Sequence, residues 1–140
     1  MADRNVSVAA VGTLDLGFGS KHRLHAAAEF SLVFATRRVL RGRIFDLHYR
    51  ARELVSAMPS VGARLGLVIA KKLARRAIQR NLLKRVAREV FRHARQGLPP
   101  YDLVLRLSRS PGGSLDAATR RLLRADVEQL LIQLPPCISC

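Results

Sequence analysis

Apolar and polar residues alternate along "RIFDLHYR", Arg43 to Arg50. Phe45, Leu47 and Tyr49 fall on one side, and Ile44, Asp46, His48 and Arg50 on the other. A period of two predicts a strand with one buried face. "RLGLVIA" repeats the pattern with Leu65, Leu67 and Ile69, and "YDLVLRL" with Leu103, Leu105 and Leu107. Pro59 and Gly62 mark a turn before the first of these, and Gly97, Pro99 and Pro100 a break before the second. Short strands could also lie between Arg50 and Ser60.

Other segments follow the helical period. "HAAAEFSLVFATRR" combines alanines with Phe30, Val33 and Phe34, which suits a short helix. "SLDAATRRLLRADVEQLLIQL" places Leu115, Ala118, Leu122, Ala125 and Leu130 near helical spacing. Ser114 is placed to cap it, Asp116 suits its positive end, and Pro135–Pro136 stops it. Residues 1–20, with Gly12, Gly17 and Gly19, read as a flexible arm. Residues 21–134 form a single α/β domain, and 135–140 a tail. The order helix, strands, helix, strand, helix predicts an α+β fold, a small sheet covered on one face by helices.

The segment "RRAIQRNLLKRVARE", Arg75 to Glu89, packs cations and apolar residues together. On a helical wheel with Arg80 at zero, Lys84 falls at about 40°, Arg95 about 60°, Arg88 about 80°, Asn81 about 100°, Arg92 about 120° and Arg85 about 140°. The opposite arc holds Leu82, Val86, Val90 and Leu83, extended by Ala94 and Ala87; Phe91 falls on the cationic side at about 20°. The apolar arc docks the helix and the cationic arc faces out. Like charges at Arg80–Lys84, Lys84–Arg88 and Arg88–Arg92 each cost a few tenths of a kcal/mol in a free helix. Phosphates between them reverse that sign and release counterions. A solvated face normally mixes in acids, and this arc has none, so nucleic acid is the favoured partner.

The whole composition agrees. The chain has 140 residues, 49 % of them hydrophobic, enough for one domain with a core. Its formal net charge is +15, from 25 Lys and Arg against 10 Asp and Glu. Such self-repulsion selects a polyanionic partner. No apolar run reaches membrane-spanning length, and Asp3 and Asp15 interrupt any signal-peptide pattern, so a cytoplasmic protein is expected. Cys137 and Cys140 form a C-x-x-C without the second pair that zinc requires, and His22, His25, His48 and His93 show no ligand spacing. Lys71 and Lys72 follow the strand "LGLVIA" beside the basic helix. Phe30 and Phe34 share a helix face, where core packing is the commoner role and stacking of unpaired bases the alternative.

"RLGLVIAKKLARRAIQRNLLKRVARE", preceded by "FSLVF", resembles the protein subunit of bacterial ribonuclease P. The likeness runs from about His22 to about Leu131. It implies a two-layer α/β sandwich with a left-handed crossover around the basic helix. It also implies that the catalyst is a large RNA, which uses Mg²⁺, held mainly by that RNA, to cleave precursor tRNA at the mature 5′ end. By the same resemblance, Arg80, Asn81, Lys84, Arg85 and Arg88 bind the catalytic RNA, with Lys71 and Lys72 beside them. Arg75, Arg76 and Arg92 extend this basic surface. Phe30 and Phe34 line a cleft for the single-stranded 5′ leader. Two positions depart from the family pattern: Leu82 stands where a third basic residue is usual, and His48 where an aromatic often faces the cleft.

Precursor tRNA and the catalytic RNA are then the partners, with no protein partner required and no membrane. The sparse acids, among them Asp46, Glu53, Glu89 and Asp102, form no evident Mg²⁺ cluster, so no catalytic residue is expected in the protein. The residues alone support a basic RNA-binding domain, which leaves a ribosome-associated or structural RNA-binding protein as the alternative.

Overall fold

The computed structural model describes residues 22–51, 62–113 and 115–135. In chain order these form α1 (Ala27–Ala35), β1 (Val39–Arg41), β2 (Phe45–Ala51), β3 (Arg64–Val68), α2 (Ala77–Ala94), a 3₁₀ turn (Arg95–Gly97), β4 (Tyr101–Leu107) and α3 (Ala117–Ile132). The fold is α+β in the expected order, with β1 as an additional short strand. The arm at 1–20, the segment after Arg50, Ser114 and the cysteine pair lie outside the described residues, apart from Ala51 at the end of β2.

The sheet order is β1-β2-β4-β3. β2 is antiparallel to both β1 and β4, whereas β3 and β4 run parallel. A parallel pair needs a crossover connection, and α2 supplies it. Registers Phe45↔Leu107, Leu47↔Leu105 and Leu65↔Leu103 put the odd-numbered leucines of three strands on one face. There they pack with Leu83, Val86, Ala87, Val90 and Phe91 of α2 and Leu123, Val127, Leu130 and Leu131 of α3 in one buried core. Each fully buried leucine of this kind contributes about 1.5–3 kcal/mol.

The sheet is covered on both faces, not one. Even-numbered residues point the other way, and Val104 is buried there with Leu24 and Val33, flanked by Phe30, Phe34 and Val68. The short helix α1 covers part of this smaller side, with Phe30 and Phe34 half-buried at its margin. Leu24 N–H donates to Leu65 O (3.1 Å), so the chain before α1 lies along the outer edge of β3.

The apolar stripe expected on α3 is corrected. Ala118, Leu122 and Ala125 are exposed; the buried side is Leu123, Asp126, Val127, Leu130 and Leu131. Leu122 and Leu123 are adjacent, so either could have anchored the stripe, and Leu123 matches the i, i+4, i+7, i+8 set better. The N-cap is Asp116, whose Oδ1 accepts from Thr119 N–H at 2.8 Å. A carboxylate in that place satisfies an otherwise orphaned donor and meets the positive helix end.

Candidate nucleic-acid interface

The sequence-predicted residues separate into two surfaces. The first is the outward face of α2. Asn81, Arg85 and Arg88 are exposed, and Arg80, Lys84 and Arg92 are half-buried along its margins. Lys71 and Lys72 are exposed in the turn after β3, and Arg75 and Arg76 are exposed where α2 begins. Among the described residues no carboxylate lies within ion-pair distance of Lys84, Arg85 or Arg88.

Three cations of the predicted arc differ from expectation. Arg80 turns back, its Nη1 donating to Ala74 O (2.9 Å) and Arg75 O (2.8 Å), so it holds the loop that starts the helix. Arg92 pairs with Glu89, which also meets His93 Nε2 at 3.0 Å, so an acid does neutralise this end of the arc. Arg92 donates the hydrogen bond that chiefly holds the Glu89 carboxyl below its ordinary value. Arg95 is buried, because the helix tightens into a 3₁₀ turn there and the wheel no longer applies. Phe91 has no exposed surface whereas Leu82 is half-buried. The buried arc is thus rotated by about 40° from the expected one, toward the larger ring.

Two further contacts fix this helix. Arg76 Nη2 donates to Gly113 O (2.9 Å) and Gln79 Nε2 to Gly112 O. Gly112 has φ +83°, a conformation that side-chain-bearing residues rarely adopt.

The second surface lies between α1 and the even face of the sheet. Gly66, Val104, His48 and Val39 form one row across β3, β4, β2 and β1. Phe30 lies over this row's glycine: a Cβ on Gly66 would come within 2.5 Å of its ring. Phe34 meets His48 edge-on, with centroids 4.8 Å apart and planes at 76°. Both phenylalanines are half-buried, so each has one side in the small core and one side toward solvent. His48 Nε2 is buried with no hydrogen-bond partner among the described residues. Burial pushes the His48 imidazole below its ordinary value, opposed by Asp46 and reinforced by Arg106 and Arg41. A neutral, partly covered imidazole offers a flat face for stacking. Tyr49, on the opposite strand face, packs edge-on against Tyr101 at 5.5 Å and does not reach this side.

A residue set that sequence patterning missed seats α1. Arg64 Nε and Nη2 donate to the two oxygens of Asp102, each at 2.9 Å, and Nη1 donates to Glu29 Oε2 at 2.9 Å. Glu29 Oε1 also accepts from His25 and Ala26 N–H, at 2.7 and 3.0 Å. Glu29 therefore caps α1 and ties it to β3. Alternation puts Arg64 and Asp102 on even faces, but only the strand order makes them neighbours.

Among the described residues no helix is long and apolar enough to cross a membrane. Comparison with known proteins places this geometry in context. The family model described as Ribonuclease P matches residues 18–135. The ribonuclease P protein component of Azoarcus sp. (strain BH72) is 50 % identical over 121 residues, covering 86 % of this chain and 92 % of the relative. That of Aromatoleum aromaticum is 48 % identical, covering 84 % and 91 %. The solved RNase P protein from Thermotoga maritima superposes with a TM-score of 0.66 at 25 % identity, covering 81 % and 97 %. With the family match spanning most of its length and these relatives matched nearly end to end, the chain belongs to the ribonuclease P protein family.

Proposed function

We propose that this chain is the protein partner of a catalytic ribonuclease P RNA in 5′ maturation of tRNA. In this reading Arg80, Asn81, Lys84, Arg85 and Arg88, with Lys71, Lys72, Arg75, Arg76 and Arg92, hold that RNA. The observation that carries it is the α2 face, where Lys84, Arg85 and Arg88 have no carboxylate partner among the described residues. Guanidinium and ammonium groups left unneutralised at about one-turn spacing match successive phosphates.

The α1–sheet cleft then takes the single-stranded 5′ leader of precursor tRNA. Phe30, Phe34 and His48 supply stacking faces, and no base-specific hydrogen-bonding array is needed for leaders of varied sequence. The chemistry belongs to the RNA. Mg²⁺ does not fit the buried acids among the described residues: Asp46 meets Arg41, Asp102 meets Arg64, and Asp126 accepts backbone N–H groups. The protein acts by position and charge, screening phosphate repulsion between catalyst and substrate.

Reconstitution tests this. The full chain, added to the Azoarcus ribonuclease P RNA at low Mg²⁺, should raise cleavage of precursor tRNA, while the protein alone cleaves none. Cleavage by RNA-free protein, or no effect on an RNA that binds it, defeats the proposal. Co-purification with ribosomal RNA in place of ribonuclease P RNA would favour a ribosome-associated role.

A further inference from the structure

We infer a third RNA-binding surface, a cationic groove between the β1–β2 turn and α3, which takes a sugar–phosphate backbone through Arg43 and Arg109. The inference rests on the RNA-partner reading above.

The fold builds the groove from distant parts of the chain. Ser108 N–H, Arg109 N–H and Ser108 Oγ all donate to Ile44 O, at 2.8, 3.2 and 2.9 Å. That fixes the segment after β4 against the β1–β2 turn. Arg41, Arg43 and Arg109 line the resulting groove, with Gln129 of α3 and Gln133, the residue that ends this helix. Arg43 and Arg109 are exposed, and among the described residues neither has a carboxylate at ion-pair distance.

Among the described residues two acids lie nearby, and both are already engaged. Asp46 meets Arg41 at 3.4 Å. Asp126 accepts from the backbone N–H groups of Arg43, Ile44 and Phe45 at 2.8, 3.0 and 2.9 Å. The Asp126 carboxylate thus holds the turn that presents Arg43, with little surface left to repel an anion. Two unneutralised guanidinium groups on a preformed turn are suited to bidentate phosphate binding. Gln129 and Gln133 stand one helical turn apart, and their amides can both donate to and accept from a ribose 2′-hydroxyl. Among the described residues no aromatic lines the groove, so it suits a backbone better than unstacked bases.

The groove also continues the other basic surface. β3 and β4 are parallel and end together at Val68↔Arg106, and the start of β2 lies beside the end of β4 at Phe45↔Leu107. Lys71 and Lys72 follow β3, Arg109 follows β4 and Arg43 precedes β2. The cations therefore cross one end of the sheet, from the start of α2 to the β1–β2 turn.

The test uses the full chain assembled with Azoarcus ribonuclease P RNA. R43A/R109A should weaken binding and lower the slope of log affinity against log salt by about 1.4–1.8, two phosphates' worth. R43K/R109K, which keeps the charge, should keep the slope. Loss in binding of the RNA alone assigns the phosphates to the catalyst. Loss confined to precursor tRNA, added to the assembled enzyme, assigns them to the substrate. Unchanged affinity and slope in R43A/R109A for both RNAs overturns the inference, as does loss of slope in the lysine pair. If the alanine pair folds poorly by melting temperature, R43Q/R109Q decides by the same criteria. Failure of the wild-type chain to bind either RNA would instead sink the functional reading.

Discussion

Arg64 and Glu29 join the sheet to α1 through one 2.9 Å ion pair, and the same guanidinium holds Asp102 with two parallel hydrogen bonds. Asp102 is nearly buried, its side chain 4 % exposed, so the fork is anchored at its sheet end. Glu29 precedes Phe30, so the pair sets where the cleft's aromatic wall stands. Arg64→Ala strips a buried carboxylate of its main partner and should cost on the order of 3 kcal/mol in chemical denaturation. Arg64→Lys should recover only part of this, because an ammonium cannot span both carboxylates.

The same contact gives a pH dependence. Backbone N–H groups of His25 and Ala26, and then Arg64, hold the Glu29 carboxyl below its ordinary value of 4.5. The folded protein therefore binds this proton more weakly than the unfolded chain. The contribution is complete above 4.5 and is lost as pH falls through the lowered folded value. In thermal melts, Glu29→Gln should be less stable than wild type at neutral pH, and the gap should close on acidification below 4.5. A gap that stays constant would assign the loss to packing alone.

On α2, Arg88 and Arg80 should behave differently although they share the basic face. Arg88 is exposed, whereas Arg80 bonds two loop carbonyls. Arg88→Ala should flatten the salt dependence of RNA binding by about 0.7–0.9 and leave the melting temperature unchanged. Arg80→Ala should lower the melting temperature as well, since each lost hydrogen bond from a charged donor is typically worth about 1.5–3 kcal/mol.

The cleft offers a further comparison. Phe34 is half-buried against His48 and the small core, so Phe34→Ala should cost less than the about 3–5 kcal/mol of a fully buried phenylalanine. It should weaken binding of leader-bearing precursor tRNA to the assembled enzyme and spare mature tRNA. Gly66→Ala should share that leader-specific defect, because its Cβ would push Phe30 from 2.5 Å away. A fall in melting temperature without any leader-dependent loss would make both phenylalanines structural only.

Much of this was legible in periodicity. β4 spans Tyr101–Leu107, the alternating stretch itself, and the outward side of α2 follows from charge and 100° steps. What periodicity missed depends on partners distant in the chain. Phe91 sits on the boundary of the wheel, and only a core waiting on that side draws it in. Arg80 and Arg92 read as free cations because the wheel shows neither the Ala74 and Arg75 carbonyls nor the bend of Glu89 toward Arg92. Asp126 is buried whereas Arg124 is exposed, because its partners are the N–H groups of Arg43, Ile44 and Phe45, far away in the chain.

Asp126 also carries the sharpest stability prediction. Its two oxygens accept three successive N–H groups of the β1–β2 turn, from Arg43, Ile44 and Phe45, across 81 to 83 residues of sequence. Gly42 completes the arrangement: a Cβ there would lie 2.7 Å from both Asp126 Oδ1 and Phe45 O. Asp126→Ala leaves one buried and two part-buried donors without acceptors, at up to about 1–3 kcal/mol each, less whatever water recovers. A loss of several kcal/mol is expected, as in the upper tail of point mutants. Asp126→Asn should fall between, because one oxygen still accepts while the amide nitrogen faces a donor. Gly42→Ala should destabilise by displacing the carboxylate. Hydrogen exchange should then show the amides of Arg43, Ile44 and Phe45 losing protection in Asp126→Ala. Retained protection at those three amides would mean that the turn holds itself, and that α3 merely packs against it.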